Sequence, residues 1–324
     1  MVFHPNKSGL ITNNSRSPID GKTFAKKQVL VCSRMPDVNT KFSYLDYHGE
    51  HLSVSARLQK SYHKKICQDS ALVFAVPGLV AVGVFDGHEM QGELVSSFMA
   101  DLVIERLADT KDDSPSEALL HASSRLAERY RRATAFDPAN CTGGTTAMLV
   151  FLYPDGRFEA SSVADSALYQ CNHATARRFF NYDQIPVRGQ KALMPVRGMK
   201  LAAFRAYRNI IRSYVGIANQ FAMETASGIL AVGEKLVVAS DGLTKNLRIF
   251  IDEDSKRITD ASGCDDIFGI ILNSDSSPAD ALLHAVNARI SLTAYLSDTK
   301  LIGKTTAILP VDDDISIISV TRNK

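Results

Sequence analysis

Four aspartates hold the same kind of position in this sequence. Asp86 follows the apolar run 79–85, Asp165 follows 157–163, Asp241 follows 235–239, and Asp313 precedes 315–320. Their neighbours are small (Gly87, Ser166, Gly242) or acidic (Asp314). Taken singly, each is also what a turn supplies, because Asp-Gly closes strands in many proteins. Taken together, they place carboxylates at the rim of a sheet, where they repel one another unless cations are present. Oxygen-only ligation with room for water suits a hard cation such as Mg2+ or Mn2+.

The elements that must position these acids are legible as runs and turns. Residues 71–76 and 79–85 are β-rich and meet at Pro77-Gly78, which predicts a hairpin. A second hairpin is expected where 147–153 and 157–163 flank Pro154-Asp155-Gly156. Between them, Leu94, Val95, Phe98, Met99, Leu102 and Val103 recur at helical spacing, as do Leu119, Ser123, Leu126 and Tyr130. Ser114-Pro115 and Ser277-Pro278 each pair a cap residue with proline at a helix start. Short alternating pieces in 42–69 (Leu52, Val54, Ala56) suit strands, as do 235–239 and 315–320. Strands joined by hairpins, with helices in separate runs, predict α+β architecture with antiparallel sheet rather than alternating βαβ.

Composition narrows the class further. The chain has 324 residues, 45% of them hydrophobic, with 37 Lys+Arg against 35 Asp+Glu. That length supports a real core in one large domain or two small ones, and a net charge of +2 exerts no general pull on nucleic acid or membrane. Five cysteines (Cys32, Cys67, Cys141, Cys171, Cys264) without a C-x-x-C pair argue against a disulfide framework or structural zinc. A reducing, cytoplasmic setting is expected. No run reaches the ~18 apolar residues that a membrane helix needs; the longest, 71–85, is cut by Pro77-Gly78. The first 40 residues, rich in Asn, Ser, Lys and Pro, read as an extended tail with one strand near 28–32. Residues 41–324 read as one domain, without a Gly/Ser or Pro-rich linker.

The segment Lys64-Lys65-Ile66-Cys67-Gln68-Asp69-Ser70, followed by Val84-Phe85-Asp86-Gly87-His88, resembles the opening of the metal-dependent protein phosphatases of type 2C. Later elements follow in that family's order: Gly144-Thr145-Thr146, Ala164-Asp165-Ser166, Ser240-Asp241-Gly242-Leu243 and Asp313-Asp314-Ile315-Ser316. The resemblance spans about 52–320. It implies a four-layer αββα sandwich, a central antiparallel β-sandwich flanked by helix pairs. It also implies two Mg2+ or Mn2+ ions, with Asp86 bridging them and the Gly87 carbonyl on one. Asp241 and Asp313 would hold the other, and Asp69 would act through water. Asp165 would serve an additional metal position, His88 would be the general acid and Lys64 the phosphate contact. Two cations about 3.5–4 Å apart can deprotonate a bridging water and offset phosphoryl charge, while a nearby His protonates the leaving alkoxide. The implied activity is hydrolysis of phosphoserine and phosphothreonine in proteins without a covalent enzyme intermediate. Cys67 is read as a packed strand residue, because it lacks the anion loop of a thiol phosphatase.

Several residues depart from that pattern. Lys64 replaces an arginine, keeping charge but losing the bidentate fork. Glu89 and Ala164 replace glycines, and Ala167 replaces an arginine. Lys245 stands where many members place the acid that completes the additional metal site, which puts a third ion and Asp165 in doubt. Lys64, Glu89 and Lys245 favour the rival reading, a pseudophosphatase of the same fold with weak or absent catalysis that binds partners through the cleft or the basic segment. Asp313-Asp314 also resembles the bacterial stress and sporulation branch, a variation on the first reading. The family's variable flap corresponds to about 172–230, where Arg177, Arg178, Arg188, Lys191, Arg197, Lys200, Arg205, Arg208 and Arg212 face a single acid, Asp183, across 174–214. That segment is either a patch for an acidic or phosphorylated partner or a solvated helix face. Its sparse aromatics argue against nucleic acid. Gly303-Lys304-Thr305 lacks the leading glycine of a phosphate loop, and His48, His51 and His63 show no metal-ligand spacing. The partner expected is a phosphoprotein substrate, with no nucleic acid and no membrane; oligomeric state is left open.

Overall fold

Strands such as 69–76 (DSALVFAV) are apolar on both faces, so they need a packing layer on each side. The computed structural model describes residues 28–33, 42–110, 113–134, 137–180, 184–186, 193–207, 213–217, 221–252, 254–295, 306–308 and 311–324. Two antiparallel sheets face each other. In the first, the order is Gln28–Ser33, Asp69–Val76, Leu79–His88, Ala147–Leu152, Arg157–Val163 and Glu224–Ile229. The short strand Gly144–Thr145 pairs antiparallel with the end of Leu79–His88 and, on its other side, with Val215–Gly216. In the second sheet the order is Ala176–Arg178, Ala167–Cys171, Lys235–Ala239, Ile315–Arg322, Leu52–Gln59 and Phe42–His48. The expected strand near 28–32 is therefore the edge of the first sheet, paired with Asp69–Val76.

Alternation along each strand sends side chains to two cores. Val73, Val82, Val84 and Val150 of the first sheet pack against Val54, Leu236, Val238 and Ile318 of the second, forming the inner layer. The opposite faces carry Leu72, Phe74, Phe85 and Leu149 in the first sheet, packed on helices α1 (Gly92–Asp109) and α2 (Pro115–Thr134) through Met99, Val103, Leu119 and Leu126. Past the short helices α3 (Leu201–Tyr207) and α4 (Asp241–Thr244) come α5 (Cys264–Leu272) and α6 (Pro278–Tyr295). These last two cover Tyr169, Val237 and Ile317 of the second sheet with Ile267, Leu282 and Val286. Helices, sheet, sheet and helices thus form four layers, as expected from the resemblance.

The two predicted caps are both present. Ser114 N–H and Oγ donate to Glu117 Oε2 (both 2.8 Å) while Glu117 N–H donates back to Ser114 Oγ (3.3 Å). At the start of α6, Asp280 N–H donates to Ser277 Oγ (3.2 Å) and Ser277 Oγ donates to Asp280 Oδ2 (2.6 Å), so α2 begins with a full capping box and α6 with a serine side-chain cap. Among the described residues, no helix is long and apolar enough to cross a membrane. Asp183, Arg188, Lys191, Arg208, Arg212, the side chain of Arg205 and the Gly303-Lys304-Thr305 motif lie outside the described residues.

Candidate active site

Register brings the acids to one end of the sandwich. Asp69 and Asp86 are direct cross-strand partners, so their carboxylates share a face. In the second sheet Ala239 pairs with both Ala167 and Ile317. The chain therefore leaves or enters at the same level at Asp165, Asp241 and Asp313. Within the second sheet Ser240 N–H donates to Ser316 O (3.0 Å) and Ser316 N–H donates to Ser240 Oγ (2.9 Å), and Ser316 Oγ then crosses to the first sheet, donating to Asp69 Oδ2 (2.8 Å).

Two glycines set these distances. A Cβ on Gly87 would lie 2.4 Å from Gly92 O and 2.5 Å from Gln68 O; one on Gly242 would lie 1.9 Å from Asp314 O. Only glycine allows the Asp86 and Asp241 turns to approach so closely. The Gly-Thr-Thr element serves the same end, since Thr146 Oγ1 accepts from Asp86 N–H (3.0 Å) and Thr145 Oγ1 donates to Asp86 O (3.1 Å).

The electrostatics divide the acids into two groups. Asp69 is fully buried and its Oδ1 has no hydrogen-bond partner. Burial first, and then the neighbouring Asp314 charge, push its pKa up to about 7. The buried Asp165 Oδ1 is also unpartnered, and burial together with Asp241 pushes that carboxyl up to about 7. Asp86 is raised well above the ordinary carboxylate value by burial and by the charges of Asp69, Asp241, Asp313 and Asp165. The other group is neutralised by lysines. Lys245, buried four residues after Asp241, forms an ion pair with it and a second one with Asp313 Oδ2 (3.1 Å). Lys64 Nζ contacts Asp313 Oδ1 (2.6 Å) and Asp314 Oδ2 (3.1 Å). Burial opposes the charge on Asp313, but Lys245 and Lys64 outweigh it and hold its pKa below the ordinary value.

These contacts bear on two sequence expectations. Asp241 and Asp313, the pair expected to hold one cation, share the ammonium of Lys245. Lys64, expected as a phosphate contact, is engaged by Asp313 and Asp314 and keeps about a third of its side chain exposed (32%). Among the described residues, no group of three or more His, Cys, Asp or Glu side chains is arranged as a ready metal centre. The Asp69–Asp86 side nevertheless fits a hard cation, for it offers only oxygen donors, one of them, Asp69 Oδ1, buried without a partner. The Asp241–Asp313 side does not fit, because a protonated amine already satisfies both carboxylates.

His88 packs edge-on against Tyr214, with ring centroids 4.4 Å apart and planes at 84°. Its Nε2 is buried without a hydrogen-bond partner. Burial lowers its pKa below the usual 6.5, against the opposing pull of Glu89 and Asp241. Asp314 is a site residue whose task the sequence did not reveal. Its Oδ1 accepts from Ser61 N–H and its Oδ2 from Gln68 N–H (both 2.9 Å), which fixes the loop carrying Lys64. Asp312 continues that clamp through Ser61 Oγ and Tyr62 N–H. A cavity of about 400 Å3, lined by Tyr47, His51, Leu52, Val76, Leu79 and Leu152, opens at the other end of the sandwich, by the Pro77-Gly78 turn, and contains none of the predicted residues.

No protein-family profile matches the chain, and no curated protein matches it. Solved structures do. The serine/threonine phosphatase Stp1 from Staphylococcus aureus aligns with 84% of this chain and 96% of its own, at 14% identity and a TM-score of 0.58. The S. agalactiae serine/threonine phosphatase covers 84% of this chain and 99% of its own at 18% identity and 0.55. The PPM Ser-Thr phosphatase MsPP from Mycobacterium smegmatis covers 84% and 99% at 16% identity and 0.55. By its layers, its strand order and these likenesses, the chain is a divergent example of the fold of the type 2C, or PPM, serine/threonine phosphatases.

Proposed function

We propose that this chain hydrolyses phosphate monoesters on serine and threonine of protein substrates, with water attacking phosphorus and no covalent enzyme intermediate. The observation that carries the reading is the unneutralised half of the acid cluster. Burial raises the pKa of Asp69, Asp86 and Asp165, Asp86 further through the charges of the other two, and Asp69 and Asp165 each leave a buried oxygen unpartnered. An arrangement that costs the fold stability in this way is expected where a cation is to be bound. Asp86, the Gly87 carbonyl and Asp69 would hold a divalent cation there, and such an ion would supply a water acidic enough to attack at neutral pH. Lys64, at the rim, offers its remaining N–H to a phosphoryl oxygen while Asp313 and Asp314 hold its ammonium in place. His88 donates a proton to the departing alkoxide. Because burial lowers its pKa, the donor form declines at a lower pH than for an ordinary histidine.

The test is phosphate release from a phosphoserine or phosphothreonine peptide in the presence of Mn2+, for the parent and for Asp86→Asn. Release by the parent, reduced by about 100-fold or more in the variant, is expected for a residue that positions the attacking water. A second reading is favoured by Lys245, which occupies the Asp241–Asp313 pair: the chain as a pseudophosphatase that binds phosphorylated partners. Metal-independent binding of the same peptide, with no release from the parent, would replace the first reading by the second.

A further inference from the structure

The two lysines do not play equal parts in the acid cluster. Lys64 enters from the loop 60–68 and is partly exposed, whereas Lys245 sits one helical turn after Asp241 with only 8% of its side chain exposed. Its ammonium is shared between Asp241 and Asp313, carboxylates 72 positions apart in sequence that approach one another because Gly242 lies against Asp314. An amine that is charged, buried and bonded to two carboxylates does the neutralising work of a cation while remaining covalently attached. Asp69 is the counterpart, a fully buried carboxylate with one oxygen bonded to Ser316 and the other without a partner, facing Asp86 across the strand pair.

We propose that this chain binds a single divalent cation, at Asp86 and Asp69, and that the Lys245 ammonium is the built-in substitute for a second cation between Asp241 and Asp313. The inference rests on the phosphatase reading only for the choice of metal; the count of ions follows from the ion pairs. Removing the amine should convert the resident-charge site into a second metal site, because Asp241 and Asp313 then face each other without a counter-charge.

Equilibrium dialysis and calorimetry of the full chain with Mn2+ test the count, and electron paramagnetic resonance tests the spacing, since neighbouring Mn2+ ions couple and an isolated ion does not. The parent is expected to take one equivalent with an uncoupled spectrum. Lys245→Ala is expected to take two with a coupled one, and Asp86→Asn none. Lys245→Met keeps the length of the side chain and serves if the alanine variant does not fold. Two equivalents or a coupled spectrum in the parent would overturn the proposal, as would none. A single equivalent in a folded Lys245 variant would overturn the substitute role. Failure of peptide hydrolysis with one ion bound would defeat the catalytic reading and leave this inference standing; two ions in an active parent would do the reverse.

Discussion

At the scale of single residues, the site shows where its sequence has moved away from glycine. Ala164 has φ 78° and Glu89 has φ 60°, both in the left-handed region where a Cβ crowds the following carbonyl. These are the two positions at which the resemblance calls for glycine, so the backbone shape has been kept although the residue suited to it has not. Ala164→Gly should relieve the strain and lose a little to chain entropy, for a net gain of about 1 kcal/mol. In a chain of this size that is a rise of roughly 2 °C in melting temperature. A thermal melt that moves down would show that Ala164 is held by contacts worth more than its strain. The sequence also told of Lys245 in part: its place one turn after Asp241 made the i, i+4 ion pair foreseeable. Its second partner, Asp313, lies 68 positions away, and no local pattern encodes that meeting.

At the scale of elements, local signals are legible in the sequence and long-range ones are not. The hairpins at Pro77-Gly78 and Pro154-Gly156 and the capped starts of α2 and α6 stand where turn and cap chemistry placed them, because each depends on residues three or four positions apart. The short sheet of Arg248–Ile251, Ile258–Asp260 and Thr306–Ile308 leaves no signal in the sequence, and neither does α5. Its strands are three or four residues long, too short for alternation to show, and α5 begins after Gly263 without a side-chain cap. Asp314 illustrates the same limit. As half of an Asp-Asp pair it looked like part of the metal motif, yet its carboxylate is spent on the backbone of the 60–68 loop. Asp314→Ala leaves two N–H groups and part of Lys64 without a partner in a site only 1% exposed. A loss of about 3 kcal/mol is expected from such a change. Denaturant unfolding measures it, and a loss below about 1 kcal/mol would mean that water takes over the clamp.

Over the whole molecule, each outer helix layer is fastened by arginine. Arg129 of α2 reaches Glu105 of α1 (3.0 Å), Arg289 of α6 grips Asp266 of α5 (2.6 and 2.8 Å), and Arg57 of the second sheet binds Asp280 of α6 (2.6 and 2.7 Å) as well as Asp46 (2.9 Å). The Arg57–Asp280 link joins a layer to a sheet, and it predicts how acid acts on the fold. The Arg57 hydrogen bonds, opposed by slight burial, hold the Asp280 pKa below its ordinary 3.8. The folded chain therefore takes up that proton at a lower pH than the unfolded chain does. The stability it contributes is complete above the unfolded value and is lost as pH falls through the folded one. The Asp280 side chain is 41% exposed, so solvent screening limits the contribution to about 1 kcal/mol. Melts of the parent and of Asp280→Asn should differ by that amount near pH 6 and converge as pH falls through the lowered folded value, where the parent acid becomes neutral too. A difference that persists undiminished into acid would assign the effect to the cap with Ser277 instead of to the ion pair. The helix layer would then be held by its own N-terminus rather than by charge across to the sheet.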